Sequence, residues 1–93
     1  MMKKKIMKVY FKGIDKYENN LYCSIASYNT GVGNLCFAVT NTTKISPSIA
    51  KINQMTPENT YNFLVENLKY EEARNYLRKV NEKYLMYKDW INY

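Results

Sequence analysis

The chain has 93 residues, enough for one domain and no more. Apolar residues make up 46% and charged residues 24%, which is ordinary for a globular protein and argues against disorder. The formal charge is +6 and histidine is absent, so acidic partners are favoured while histidine-based triads and most zinc sites are excluded.

The start, MMKKKIMKVYFKG, carries a basic cluster at Lys3-Lys4-Lys5. Lys8 and Lys12 interrupt its apolar residues, so it does not read as a signal peptide. No apolar run approaches the roughly 18 residues of a membrane span. Ile6, Val9 and Tyr10 fit a helix ended by Gly13. Leu21, Tyr22, Ile25 and Ala26 fit another.

The stretch ASYNTGVGN, Ala26–Asn34, then sets two of the three glycines beside a Tyr-Asn pair. Leu35 to Val39, LCFAV, is a continuous apolar run followed by threonines. Such a run fits a strand or a buried helix, and spacing does not separate the two. As a strand it would make NTGVGN a hairpin loop. A bare Gly-x-Gly with no third glycine is weak evidence for a phosphate loop. Cys23 and Cys36 read as two free buried thiols, with one disulfide as the alternative. No histidine base exists to activate either as a nucleophile.

The second half is more regular. Ser46-Pro47 and Thr56-Pro57 each place a hydroxyl before proline, a helix-start signature. Ile49, Ile52 and Met55 mark a short helix after the first. After the second, Glu58 falls in the first turn, and Tyr61, Leu64, Val65 and Leu68 form one face. A last helix opens at Glu71 and Glu72. Its apolar row runs Ala73, Tyr76, Leu77, Val80, Tyr84 and Tyr87, with Arg74, Arg78 and Lys79 off that row. Ten tyrosines supply flat faces with polar tips, suited to cores and to sugar or base stacking.

Three stretches, in order, resemble the catalytic domain of the soluble-lytic-transglycosylase type. ASYNTGVGN is similar to that family's Ala-Tyr-Asn-x-Gly-x-Gly element. INQMTPENTYNFL, Ile52–Leu64, is similar to the Ile-Asn-x-Met-Thr-Pro stretch of its transglycosylase C branch. EARNYLRKVNEKYLMY, Glu72–Tyr87, is similar to its Glu-Thr-Arg-x-Tyr-Val/Leu-x-Lys-Val element. VYFKGID, Val9–Asp15, resembles the segment preceding the first. The resemblance implies an all-α, lysozyme-like C-terminal half-domain of about five to six short helices, residues 1–93 being a partial transglycosylase domain. It favours helices on both sides of ASYNTGVGN, with Val32, Leu35, Cys36 and Val39 inward.

Members of the family cleave the β-1,4 bond between N-acetylmuramic acid and N-acetylglucosamine in peptidoglycan, leaving a 1,6-anhydro end. One glutamic acid serves as acid and then base, without a metal or other cofactor, from a partly apolar site. In the family that glutamate stands in a Glu-Ser element, followed by Gly-Leu-Met-Gln, upstream of Tyr-Asn. Neither element occurs here, and the acids before Tyr28 are Asp15 and Glu18, neither followed by serine. The chain alone is therefore expected to be inactive. A truncated gene, an internal start or an independent small protein would each account for this.

By the resemblance, Tyr28 and Asn29 line the sugar cleft and the Tyr76 hydroxyl points toward the catalytic glutamate. The plainer alternatives are a core Tyr28, an Asn29 ending its helix in the left-handed conformation, and a core Tyr76. Gly31 and Gly33 would be turn residues between helices. Glu72 reads as a helix-start residue and Arg74 as a surface charge. Ala73 stands where the family has threonine, and Ser27 where it has alanine. The expected partner is a peptidoglycan glycan strand, with a second copy or the N-terminal half covering exposed apolar faces. The family works in the cell envelope, whereas this chain as written reads as cytoplasmic. The rival reading is a small basic helical protein that binds nucleic acid or a protein partner, and the spread of its lysines disfavours nucleic acid.

Overall fold

The computed structural model describes residues 9–91, with side chains as far as Tyr84. Ile6, the Lys3–Lys5 cluster and the Tyr87 side chain lie outside the described residues. All regular structure among the described residues is helical. The helices are α1 (Tyr17–Thr30), α2 (Val32–Thr40), α3 (Ile45–Ile52), α4 (Pro57–Asn67) and α5 (Glu71–Ile91). This is the all-α architecture expected, and it is consistent with a lysozyme-like half-domain.

α1 is the central element and packs on α5, α2 and α4. Tyr22, Cys23, Ile25 and Ala26 are buried on it. Leu35, Cys36 and Val39 of α2 meet them, with Val32 partly buried. The LCFAV run is therefore a helix and not a strand. Ile52, Leu64, Leu68, Ala73 and Leu77 complete the core. Phe11 and Ile14 close it from the segment before α1. Their turn is fastened by the Ile14 amide donating to the Phe11 carbonyl at 2.9 Å.

α4 starts where its sequence says. The Thr56 hydroxyl accepts from the Asn59 amide at 3.1 Å, and Pro57 occupies the first turn. The Ser46-Pro47 signal is displaced. α3 begins at Ile45 after Lys44, with no side-chain cap. Proline fits anywhere in a first turn because those amides lack intrahelical partners, so it marks the turn and not its first residue.

Gly13 does not end a helix in the left-handed conformation. Positive φ among the described residues occurs at Gly31 and Asn41 only. Gly13 serves a close approach instead, since a Cβ there would stand 3.3 Å from Ile49 Cγ2. Asn41, at φ 61°, ends α2, its amide donating to the Phe37 carbonyl at 2.8 Å.

Asparagines tie the helices together. Asn19 is fully buried, and its Nδ2 donates to the Met55 carbonyl at 2.9 Å and the Ile52 carbonyl at 3.3 Å. Asn20 Nδ2 donates to the Phe11 carbonyl at 2.9 Å. Asn53 accepts from the Asp15 amide at 2.9 Å and donates to the Gly13 carbonyl at 3.0 Å. Lys51 Nζ donates to the Val39 carbonyl at 2.8 Å, at the negative end of α2, and lies 4.6 Å over the Phe63 ring.

Candidate functional site

The α1–α2 junction is one residue wide. Gly31 adopts φ 95° and ψ 147°, a region that a side chain disfavours, and its amide donates to the Ser27 carbonyl at 2.7 Å. Asn34 Nδ2 donates back to the Thr30 carbonyl at 2.8 Å, satisfying an end carbonyl of α1. Gly33 lies inside the first turn of α2, so the turn rests on Gly31 and not on Gly33.

This junction leaves the last turn of α1 in solvent. Tyr28 is 46% exposed, which overturns the core alternative. Asn29 is exposed and inside α1, without positive φ, so the left-handed alternative also fails.

Asn29 and α5 together form a groove. α5 contributes Glu72, Asn75, Tyr76 and Lys79, spaced to share one helix face, with Glu71 beside them. The groove holds about 460 Å³. A second hollow of about 360 Å³ shares Asn29, Glu71 and Glu72 and adds Thr30 and Tyr70. Tyr76 is half-buried and packs against the core while lining the groove. Tyr70, 48% exposed, offers an aromatic face at the edge.

The chemistry is dense in hydrogen-bonding groups. Two amides donate and accept, two carboxylates accept, one ammonium donates, and two phenol rings present flat surfaces. Glu71 and Glu72 stand exposed in the first turn of α5, where the helix dipole favours carboxylates. Neither has the apolar enclosure in which a single carboxyl works as acid and then base.

Arg74 is turned away from this work. Its Nη1 donates to the Leu68 and Lys69 carbonyls, closing the end of α4 and fixing the α4–α5 corner. The sequence reading of a surface charge is thus corrected to a structural tie. Cys23 and Cys36 are free and buried. Burial pushes the Cys23 thiol far up, with Cys36 adding to the effect, so it is a core group and not a nucleophile. No cluster of three or more metal-ligating side chains exists among the described residues. None of their helices is long and apolar enough to cross a membrane.

Sequence comparison bears on this groove. The chain is 34% identical over 79 residues to the membrane-bound lytic murein transglycosylase C of Histophilus somni (strain 2336), covering 85% of this chain and 21% of that protein. It is 36% identical over 73 residues to the protein of the same name from Haemophilus influenzae (strain PittEE), and 37% to that of Shigella sonnei (strain Ss046). Those two matches cover 78% of this chain and 20% of each relative. This chain carries a lytic transglycosylase-related region. The region spans about a fifth of the length of the curated relatives it matches. No family model matches the chain.

Glu71, Asn75 and Lys79 are groove residues that sequence reasoning did not single out. Their spacing is also that of an ordinary solvated helix face, and only the approach of Asn29 distinguishes them.

Proposed function

We propose that the transglycosylase-related region binds a peptidoglycan glycan strand in the Asn29–Tyr76 groove, as the sugar-positioning part of a lytic transglycosylase domain. The observation that carries this reading is a convergence. Asn29 comes from ASYNTGVGN and Tyr76 from EARNYLRKV, two separate elements of the resemblance, and both line one groove. In this reading the Asn29 amide pairs with an N-acetyl group, donating and accepting at once. Tyr76 and Tyr70 offer rings to the sugar faces. Tyr28 is exposed on the same turn but is not among the residues that line the groove.

The Glu-Ser and Gly-Leu-Met-Gln elements are absent from these residues. The groove therefore binds and places the sugar, and the general acid belongs to another part of a complete domain. Losing such an acid costs roughly 10²–10⁴ in rate. The expected product yield of this chain alone is below detection.

Retention on insoluble peptidoglycan tests the reading, with chemical-shift mapping by an N-acetylglucosamine oligomer as the local readout. Shifts should centre on Asn29, Asn75 and Tyr76. Asn29→Ala should weaken binding about tenfold, the worth of one or two hydrogen bonds. Salt-sensitive binding to nucleic acid with no peptidoglycan retention would favour the basic binding-protein reading instead.

A further inference from the structure

A third hollow adjoins the groove beyond Tyr70, where α2 faces the end of α4. Its volume is about 310 Å³, and Asn34, Phe37, Ala38, Asn41, Asn67 and Lys69 line it. Contacts on both walls join it to the second hollow. On one wall Asn34, of the third hollow, donates to the carbonyl of Thr30, of the second, at 2.8 Å. On the other, Lys69 Nζ of the third lies 5.4 Å from the ring centroid of Tyr70 of the second. The second hollow in turn shares Asn29, Glu71 and Glu72 with the groove. Three hollows therefore follow one another, from Lys79 on α5 to Asn41 at the end of α2. At the helical rise, the α5 stretch from Glu71 to Lys79 and the α2 stretch from Asn34 to Asn41 each measure roughly 10–12 Å. A path of that length suits a chain-like ligand better than a single ring.

The third hollow repeats the make-up of the groove, an aromatic ring set among amides. Phe37 is 54% exposed. A lone exposed apolar side chain needs no explanation, but this one shares a hollow with three asparagines. Two of their amides are already fixed. Asn34 holds the Thr30 carbonyl, and Asn67 Nδ2 donates to the Phe63 carbonyl at 2.8 Å. Each bond uses one N–H, and an amide has a second N–H and an oxygen besides. Side chains held beforehand lose less freedom when a ligand arrives. Asn41 is set by its backbone, at φ 61° with its amide on the Phe37 carbonyl.

We propose that the glycan strand assigned to the Asn29–Tyr76 groove continues past Tyr70 into this hollow. There the Phe37 ring stacks on a further sugar, and Asn34, Asn41 and Asn67 hydrogen-bond its hydroxyl or N-acetyl groups. This extension rests on the glycan reading of the groove, and it makes the site one for a strand of several sugars.

Chemical-shift titration of the full chain with β-1,4-linked N-acetylglucosamine oligomers of increasing length tests it. The shortest oligomer that shifts Asn29 and Tyr76 should leave Phe37 and Asn67 unmoved. Longer oligomers should shift all four and bind roughly three- to tenfold more tightly, the worth of one ring stack. Phe37→Ala, at an exposed position, should abolish that gain and leave the affinity of the shortest oligomer unchanged. Phe37→Tyr keeps a ring and should keep the gain. Equal affinity at all lengths, or a gain that survives Phe37→Ala, would overturn the extension and leave the groove reading standing. No shift at Asn29 with any oligomer would overturn both.

Discussion

The two ends of α1 use the same residue type to opposite ends. At its start, Asn19 is buried and Asn20 half-buried; the Asn19 amide holds carbonyls 33 and 36 positions ahead, and the Asn20 amide holds the Phe11 carbonyl just before α1. At its finish, Asn29 is exposed and borders a groove. An asparagine amide is equally able to fasten backbone or to greet a ligand. Burial and the presence of orphan carbonyls nearby decide which.

The sharpest test of this contrast is Asn19→Ala. It leaves the Met55 and Ile52 carbonyls without their side-chain donor and opens a small void, at a cost of about 2–3 kcal/mol in a urea melt. A loss below 1 kcal/mol would mean the start of α1 is not fastened as described. Asn53→Ala should cost about 1–2 kcal/mol, because it frees the Asp15 amide and the Gly13 carbonyl at a more exposed place.

Tyr22 gives a pH-dependent version. Its folded pKa is raised above the ordinary 10.0, chiefly by burial. The folded chain then holds this proton more tightly than the unfolded chain does. The resulting stability is fully present below pH 10 and declines as pH rises through the folded pKa. The melting advantage of the native chain over Tyr22→Phe should therefore shrink in alkali. A constant difference from pH 7 to 11 would contradict the buried hydroxyl.

Ser27 probes the seam between the two ends. It is 3% exposed, and its hydroxyl has no hydrogen-bond partner among the described residues. Ser27→Ala should be neutral or stabilising by up to about 1 kcal/mol, since an unsatisfied buried hydroxyl is removed. The smallest effect on stability is expected for Asn29→Ala, within about 0.5 kcal/mol, as befits an exposed position. A large loss there would make Asn29 a fastener after all and remove the contrast.

The parts of the fold legible in sequence are those whose causes are local. Thr56-Pro57 starts α4 because cap and proline act within four residues. The Ala73, Leu77, Val80 row of α5 is visible because burial recurs at helical spacing. LCFAV was ambiguous because a run buried on several sides has no period, and the decision fell to Gly31 and Asn34 outside it. The asparagine ties were invisible for another reason. Asn19 and Asn53 find their partners 33 to 40 positions away, and nothing in a local window marks them. The candidate site divides in the same way. Asn29 and Tyr76 were singled out through the resemblance, and the polar face around Tyr76 gained meaning only when α1 was seen beside it.

The antiparallel pairing of α1 with α5 has a consequence for synthesis. Tyr22 meets Asn81, 59 positions later, so the side of α1 that faces α5 has no cover until α5 has been made. Throughout that interval the part of the α1 core face that α2 and α4 do not cover stays open to other chains. Exposed apolar surface of this kind is what aggregation and holding chaperones act upon. Slower translation of α5 should therefore prolong the exposure of that one side of α1.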